Sequence, residues 1–177
     1  ERAATLTATD AKVRARLAMS HLGTGRTVEA LSALEEAFEL DTGSMRAGLL
    51  LTFIHIRRDE LNAAARTATE LKARYPDNPV TENLLGVVRR GEGNAVAARA
   101  AFTRALEIDV KFEPAACNLA ELERAAGNRK AASAHYQGIL GRNPRATRAL
   151  VGLSDIAESE GRTFEAISLL EKAVALA

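Results

Sequence analysis

The chain has 177 residues, 47% of them hydrophobic and 27% charged, with a formal net charge of +1. That soluble balance excludes long disordered or collagen-like segments, and near-neutral charge argues against nucleic acid as the main partner. With 36 Ala, 22 Leu and 4% aromatics, the composition favours helices and starves a β-sheet core. No run of eighteen apolar residues exists, so no membrane span is expected; the longest apolar stretch, 48–54, is followed by Arg57 and Arg58. Cys117 is the single cysteine, so no internal disulfide can form. Arg outnumbers Lys by 19 to 5, a bias of GC-rich bacterial coding. The chain begins Glu1-Arg2-Ala3, without Met or a leader pattern, which reads as a processed or excised start.

A period of 34 residues organises the sequence. Gly25, Asp59, Gly93, Gly127 and Gly161 form one column. Five residues after each lies Ala30, Ala64, Ala98, Ala132 or Ala166; eight before each lies Leu17, Leu51, Leu85, Leu119 or Leu153. Two further columns hold Leu34, Ala68, Phe102, Tyr136, Leu170 and Ala37, Leu71, Ala105, Ile139, Ala173. In chain order, residues 1–10 fit the tail of a preceding unit, with Ala3 and Leu6 in register. Units then run 11–44, 45–78, 79–112, 113–146 and 147–177. Each predicts two helices. In the third, Leu84, Leu85, Val87 and Val88 mark the first helix, and Ala98, Phe102, Ala105, Leu106 and Ile108 share a face of the second. Pro76 and Pro144 stop second helices, and connections of about three residues force antiparallel neighbours. The last unit stops at Ala177 without a polar cap, so a fragment of a longer array is expected, with possible self-association through uncapped ends.

The pattern resembles the tetratricopeptide repeat, W-x2-L-G-x2-Y, then A-x3-F, then P. Leu85-Gly86, Ala98-x3-Phe102, Ala132-x3-Tyr136 and Pro144 carry the match. The Trp place holds Arg14, Gly48, Glu82, Ala116 and Leu150; the Tyr place holds His21, His55, Arg89, Glu123 and Ala157; Thr42 and Val110 stand in two proline places. The resemblance implies an all-α, right-handed superhelical solenoid of about five antiparallel helix pairs. More narrowly, 83–86, 98–102 and 114–120 are similar to the repeat lipoprotein of bacterial PEP-CTERM/exosortase systems. That family is tied to envelope protein sorting and exopolysaccharide production. Its lipidated cysteine would lie outside this segment, since Cys117 sits mid-helix.

No constellation for catalysis or metal binding emerges. His21 and His55 share a column, but stacked helices lie about 8–10 Å apart, too far for simple co-ligation. Packing in place of the consensus Tyr accounts for them, and His135 lies on a second helix. Gly23-x-Gly25 and Gly91-x-Gly93 follow no strand and read as helix C-caps rather than phosphate loops. Glu35-Glu36 and Asp155 with Glu158 read as solvated faces, and Ser154-Asp155 has no nearby histidine. Cys117 reads as a small apolar filler on the groove side; a reactive thiol there would draw weak support from Arg124. No cofactor or metal is expected.

The resemblance implies that first helices line a concave groove. Its inward places are Lys12, Ala15, Met19 and Leu22 in the first unit, and Arg46, Leu49, Phe53 and Ile56 in the second. They continue with Val80, Asn83, Val87 and Arg90, then Cys117, Asn118, Glu121 and Arg124, then Arg148, Val151, Asp155 and Glu158. The N-terminal half is apolar and the C-terminal half of mixed charge, suiting a peptide with apolar anchors and charges. The alternative is that Leu49 and Phe53 pack against neighbouring first helices. The five-residue carboxylate clamp of chaperone-binding repeats is matched at Asn118 and Arg148 but missed at Asn83, Val87 and Gly152, so chaperone-tail binding is not expected. The expected function is a non-catalytic protein-interaction scaffold for a peptide or partner protein. Its expected setting is the bacterial envelope or periplasm by resemblance, with the cytoplasm as the alternative. A regulatory or substrate-recruiting arm of an enzyme lying outside this segment is the other reading. RNA binding lacks a basic groove with stacked aromatics.

Overall fold

The computed structural model describes residues 2–41 and 44–176, with side chains from Asp10 onward. The expectations on Ala3, Leu6, Thr42 and Ala177 lie outside the described residues or side chains. Ten helices and no strand occur among the described residues: α1 Arg2–Gly23, α2 Thr27–Leu40, α3 Met45–Arg57, α4 Leu61–Arg74, α5 Pro79–Gly91, α6 Ala95–Ile108, α7 Glu113–Ala125, α8 Arg129–Arg142, α9 Thr147–Ser159 and α10 Thr163–Val174. The all-α reading holds. Residues 2–10 form the first part of α1, continuous with the rest of that helix. The chain divides into two compact units, Glu1–Asn94 and Ala95–Ala177, so the division falls inside the 79–112 repeat.

The 34-residue columns are structural. Gly25, Gly93, Gly127 and Gly161 have φ between 74° and 81°, and Asp59 joins them at 61°. Each closes the turn after a first helix with left-handed backbone, which glycine adopts without a Cβ clash. The alanine column is buried from Ala30 to Ala166, where a larger side chain would push helices apart. Leu51, Leu85 and Leu119 are buried, but Leu17 is 49% exposed.

In the first unit, α1 pairs with α2 and α3 with α4, while α2 packs on α3 and α4 on α5. In the second, α7 pairs with α8 and α9 with α10; α6 packs on α7 and α8 on α9. No side chain caps the starts of α2, α3, α4, α7, α8, α9 or α10, so packing sets the positions of these helices. At α5 the cap is complete: Val80 N–H donates to Asn78 Oδ1 at 2.8 Å, with Pro79 opening the helix. Beside it, Thr81 Oγ1 donates to the carbonyls of Tyr75 and Asn78, both at 2.9 Å, fixing the α4–α5 turn.

The lost consensus aromatics are replaced in two ways. Small residues admit large neighbours: a Cβ on Gly48 would lie 2.6–2.9 Å from the Leu71 side chain, so Leu71 fills the Trp place from α4. The Tyr136 ring likewise lies over the α9 backbone at Gly152. Burying Tyr136 or Phe102 stabilises by about 1.5–3 kcal/mol each. Charged and polar replacements find partners instead. Buried Glu82 accepts from Lys72 Nζ at 2.9 Å; buried Glu123 pairs with Arg99 and accepts from Asn128 Nδ2 at 2.8 Å; His55 Nδ1 lies 2.7 Å from Glu60 Oε2. A buried charge needs such a partner to be tolerated.

Candidate partner-binding face

The first helices of the first unit expose an apolar and basic surface. On α1, Lys12 and Met19 are exposed; on α3, Arg46 is exposed and Leu49 half-buried. Phe53 is 56% exposed, with the Arg57 guanidinium 6.0 Å from its ring centroid, within cation–π range. Packing against neighbouring helices therefore accounts for part of Leu49 but not for Phe53. Lys12 and Arg46 line one open cavity of about 580 Å³, together with Arg16, Asp41 and the apolar Val13, Ala15 and Met45. On α5, Asn83 and Val87 are half-buried and Arg90 is exposed.

The compact unit Ala95–Ala177 is different in kind. Three of its expected groove residues form one hydrogen-bonded group. Arg148 Nε donates to Glu121 Oε1 at 2.9 Å, and Arg148 Nη2 donates to Glu121 Oε1 and Asn118 Oδ1, both at 2.7 Å. Asn118 is buried and Glu121 half-buried, so the group ties α9 to α7. Arg148, matched to a clamp donor by resemblance, is thus engaged by a carboxylate of its own chain. Arg124, Asp155 and Glu158 are exposed.

Cys117 is 1% exposed and packs among Ala120, Tyr136, Ile139 and Ala149. The groove-side placement of this thiol is corrected: at α7 the helix turns it into the core. Burial, partly offset by Arg148, pushes the thiol up to about 11, so it is protonated and unreactive at neutral pH. Burial also raises the Tyr136 phenol; Glu121 acts the same way and Arg124 opposes it. Burial, then Arg99, hold His135 below the usual imidazole range. Among the described residues no three His, Cys, Asp or Glu side chains are grouped to hold a metal ion, and no helix is long and apolar enough to cross a membrane.

Two residues of this surface escaped the sequence reading. Arg16 falls beside the inward places rather than on them. Arg57 lies four residues after Phe53, a spacing that puts a cation over an aromatic on one helix face and signals the pair in advance.

The comparisons with known proteins agree on the fold. The chain is similar to a thermophilic tetratricopeptide-repeat protein of Thermus thermophilus, TTC0263, with 21% identity and a TM-score of 0.79; the match covers 94% of this chain and 91% of that one. It is also similar to PilW, described as a widely conserved type IV pilus biogenesis factor, at 19% identity and TM-score 0.78, covering 94% and 77%. A third is YrrB, a tetratricopeptide-repeat protein with an unusual peptide-binding site, at 16% identity and TM-score 0.59, covering 92% and 84%. At these identities the likeness is one of fold. No curated protein matches the sequence. Tetratricopeptide-repeat family models match residues 21–86 and 117–177, together most of the chain and in both compact units. With its 34-residue columns and helix pairs, this chain belongs to the tetratricopeptide-repeat family.

Proposed function

We propose that the chain is a non-catalytic protein-interaction scaffold that receives a peptide or partner protein on the exposed face of its first helices. Phe53 carries this reading. A phenylalanine 56% exposed on a helix face, under an arginine and beside half-buried Leu49, loses apolar burial unless a partner covers it. Aromatic and arginine residues are the side chains that most often anchor protein interfaces. YrrB, a protein of similar fold, is described by a peptide-binding site, which supports the same use of the fold. The test is affinity capture with the full-length protein, using Phe53→Glu as control. Partners lost with Phe53→Glu while the melting temperature is kept support the reading. Partners retained in full refute it.

For the setting we propose the bacterial envelope. The resemblance of 83–86, 98–102 and 114–120 to the exosortase-associated lipoprotein and the fold likeness to the pilus biogenesis factor PilW support it. Fractionation of source cells tests it: recovery with envelope membranes is expected, and recovery wholly in the cytosol refutes it. Self-association is a second reading, favoured by α10, where Ile167, Leu170 and Val174 line an apolar groove of about 400 Å³. Sedimentation of wild type and Leu170→Glu decides it: a dimer abolished by the substitution supports it, and a monomer refutes it.

A further inference from the structure

Charge is distributed unevenly over the helices. The first helices α1, α3 and α5 carry eight Lys and Arg against two carboxylates, Asp10 and Glu82. Glu82 is buried and held by Lys72, while Arg14 pairs with Glu36 and Arg89 with Glu92; the exposed Lys12, Arg16, Arg46 and Arg57 are the cations that matter for the α1 and α3 surface. The second helix α2 has four glutamates and no Lys or Arg. In the other unit the bias reverses: α7 and α9 carry five carboxylates and two arginines.

The cations of the first unit are placed around its exposed apolar side chains. Arg46, Leu49, Phe53 and Arg57 follow spacings of three, four and four, which aligns them in one stripe along α3. At the Arg46 end, Lys12 and Arg16 of α1 line the same cavity, and Asp41 lines it too. At the other end the Arg57 guanidinium sits over Phe53. Covering this surface with an apolar partner would strip water from several cations without replacing their partners; carboxylates on the partner restore them.

We propose that the α1–α3 face binds an acidic peptide segment with one bulky apolar anchor. This rests on the scaffold reading above and names the chemistry of its partner. The anchor covers Phe53 and Leu49, and carboxylates on either side meet Arg46 with Lys12 and Arg16 at one end and Arg57 at the other. Arg46 and Arg57 are eleven residues apart, about 16 Å along the helix axis. An extended peptide spans that length in about five residues. Phe53 lies about 10 Å from the Arg46 level and about 6 Å from the Arg57 level. The ligand therefore places a carboxylate about three residues to one side of the anchor and about two to the other.

The test is fluorescence anisotropy with the intact chain and two short labelled peptides. One has Phe at its centre and two Glu at each end; its twin has Lys for every Glu. The acidic probe binds about tenfold or more tighter than its twin at low salt, and the difference shrinks at high salt. Arg46→Glu and Phe53→Ala, both at exposed positions, each weaken it about tenfold, while Lys130→Glu on α8 leaves it unchanged. If the Lys twin binds as well or better and still depends on Phe53, the scaffold reading stands and the acidic partner is overturned. Binding indifferent to both Phe53→Ala and Arg46→Glu overturns both. A single-stranded oligonucleotide that displaces the acidic probe, with dependence on Arg46 but not on Phe53, reassigns the face to general polyanion binding and overturns the proposal.

Discussion

Gly152→Ala should destabilise the protein although it replaces glycine inside a helix. In an open helix this change gains about 1 kcal/mol from backbone entropy. At Gly152 the new Cβ would run into Cζ of Tyr136 and lie within 2.7 Å of both ring Cε atoms. That ring is 1% exposed and packed with Cys117, Ala120 and Ile139, so it has no direction in which to yield. Overpacking of this kind costs about 1–3 kcal/mol, enough to outweigh the helix gain. The matched control is Gly138→Ala in α8, where nothing lies within 4 Å of the added Cβ; the same substitution should stabilise by up to about 1 kcal/mol. Thermal unfolding reads both. A shift of 1 kcal/mol moves the midpoint by about 2–4 °C for a chain of this size, so the two variants should diverge in opposite directions. If Gly152→Ala raises the midpoint as Gly138→Ala does, the account of small residues receiving large neighbours is refuted.

Other outcomes follow from single features. Asp59→Gly should stabilise by about 1 kcal/mol, because Asp59 holds φ 61° in a column otherwise filled by glycine; an unchanged or lower urea midpoint contradicts this. Glu60 is held below its ordinary 4.5 first by the hydrogen bond with His55 and then by that with Arg58. Its contribution is therefore present above about pH 4.5 and lost as pH falls through the lowered value. Wild type and Glu60→Gln should differ in urea midpoint near neutrality and converge in acid; a constant gap contradicts the assignment. Cys117, its thiol pushed up to about 11, should resist iodoacetamide at pH 8 in the native protein and react quickly in urea; rapid native alkylation contradicts its burial.

The repeat made much of this fold legible in the sequence. The glycine and alanine columns translate directly into left-handed turns and helix contacts, because the same backbone problem recurs every 34 residues. Departures from the repeat were harder to read. Glu82 and Glu123 look like surface residues in sequence. Their partners, Lys72 and Arg99, belong to other helices and occupy no repeating column, so their burial shows only in three dimensions. Gly48 and Gly152 look like weak points in helices until Leu71 and Tyr136 are seen to occupy the space. On the candidate face, Phe53 was legible as a groove residue. Its exposure was not, since periodicity does not separate a helix face packed on its neighbour from one left open. Asn118, Glu121 and Arg148 were each placed on first helices, but that they would bond to one another depended on side-chain reach between α7 and α9.

The central claim is that partners bind the first-helix face around Phe53. Titration of isotopically labelled protein with the acidic probe, followed by amide chemical shifts, tests it most directly. Perturbations clustered at Lys12, Met19, Arg46, Leu49, Phe53 and Arg57 are predicted. Saturable shifts confined to the second helices, such as Glu35, Thr69 and Gln137, would contradict it.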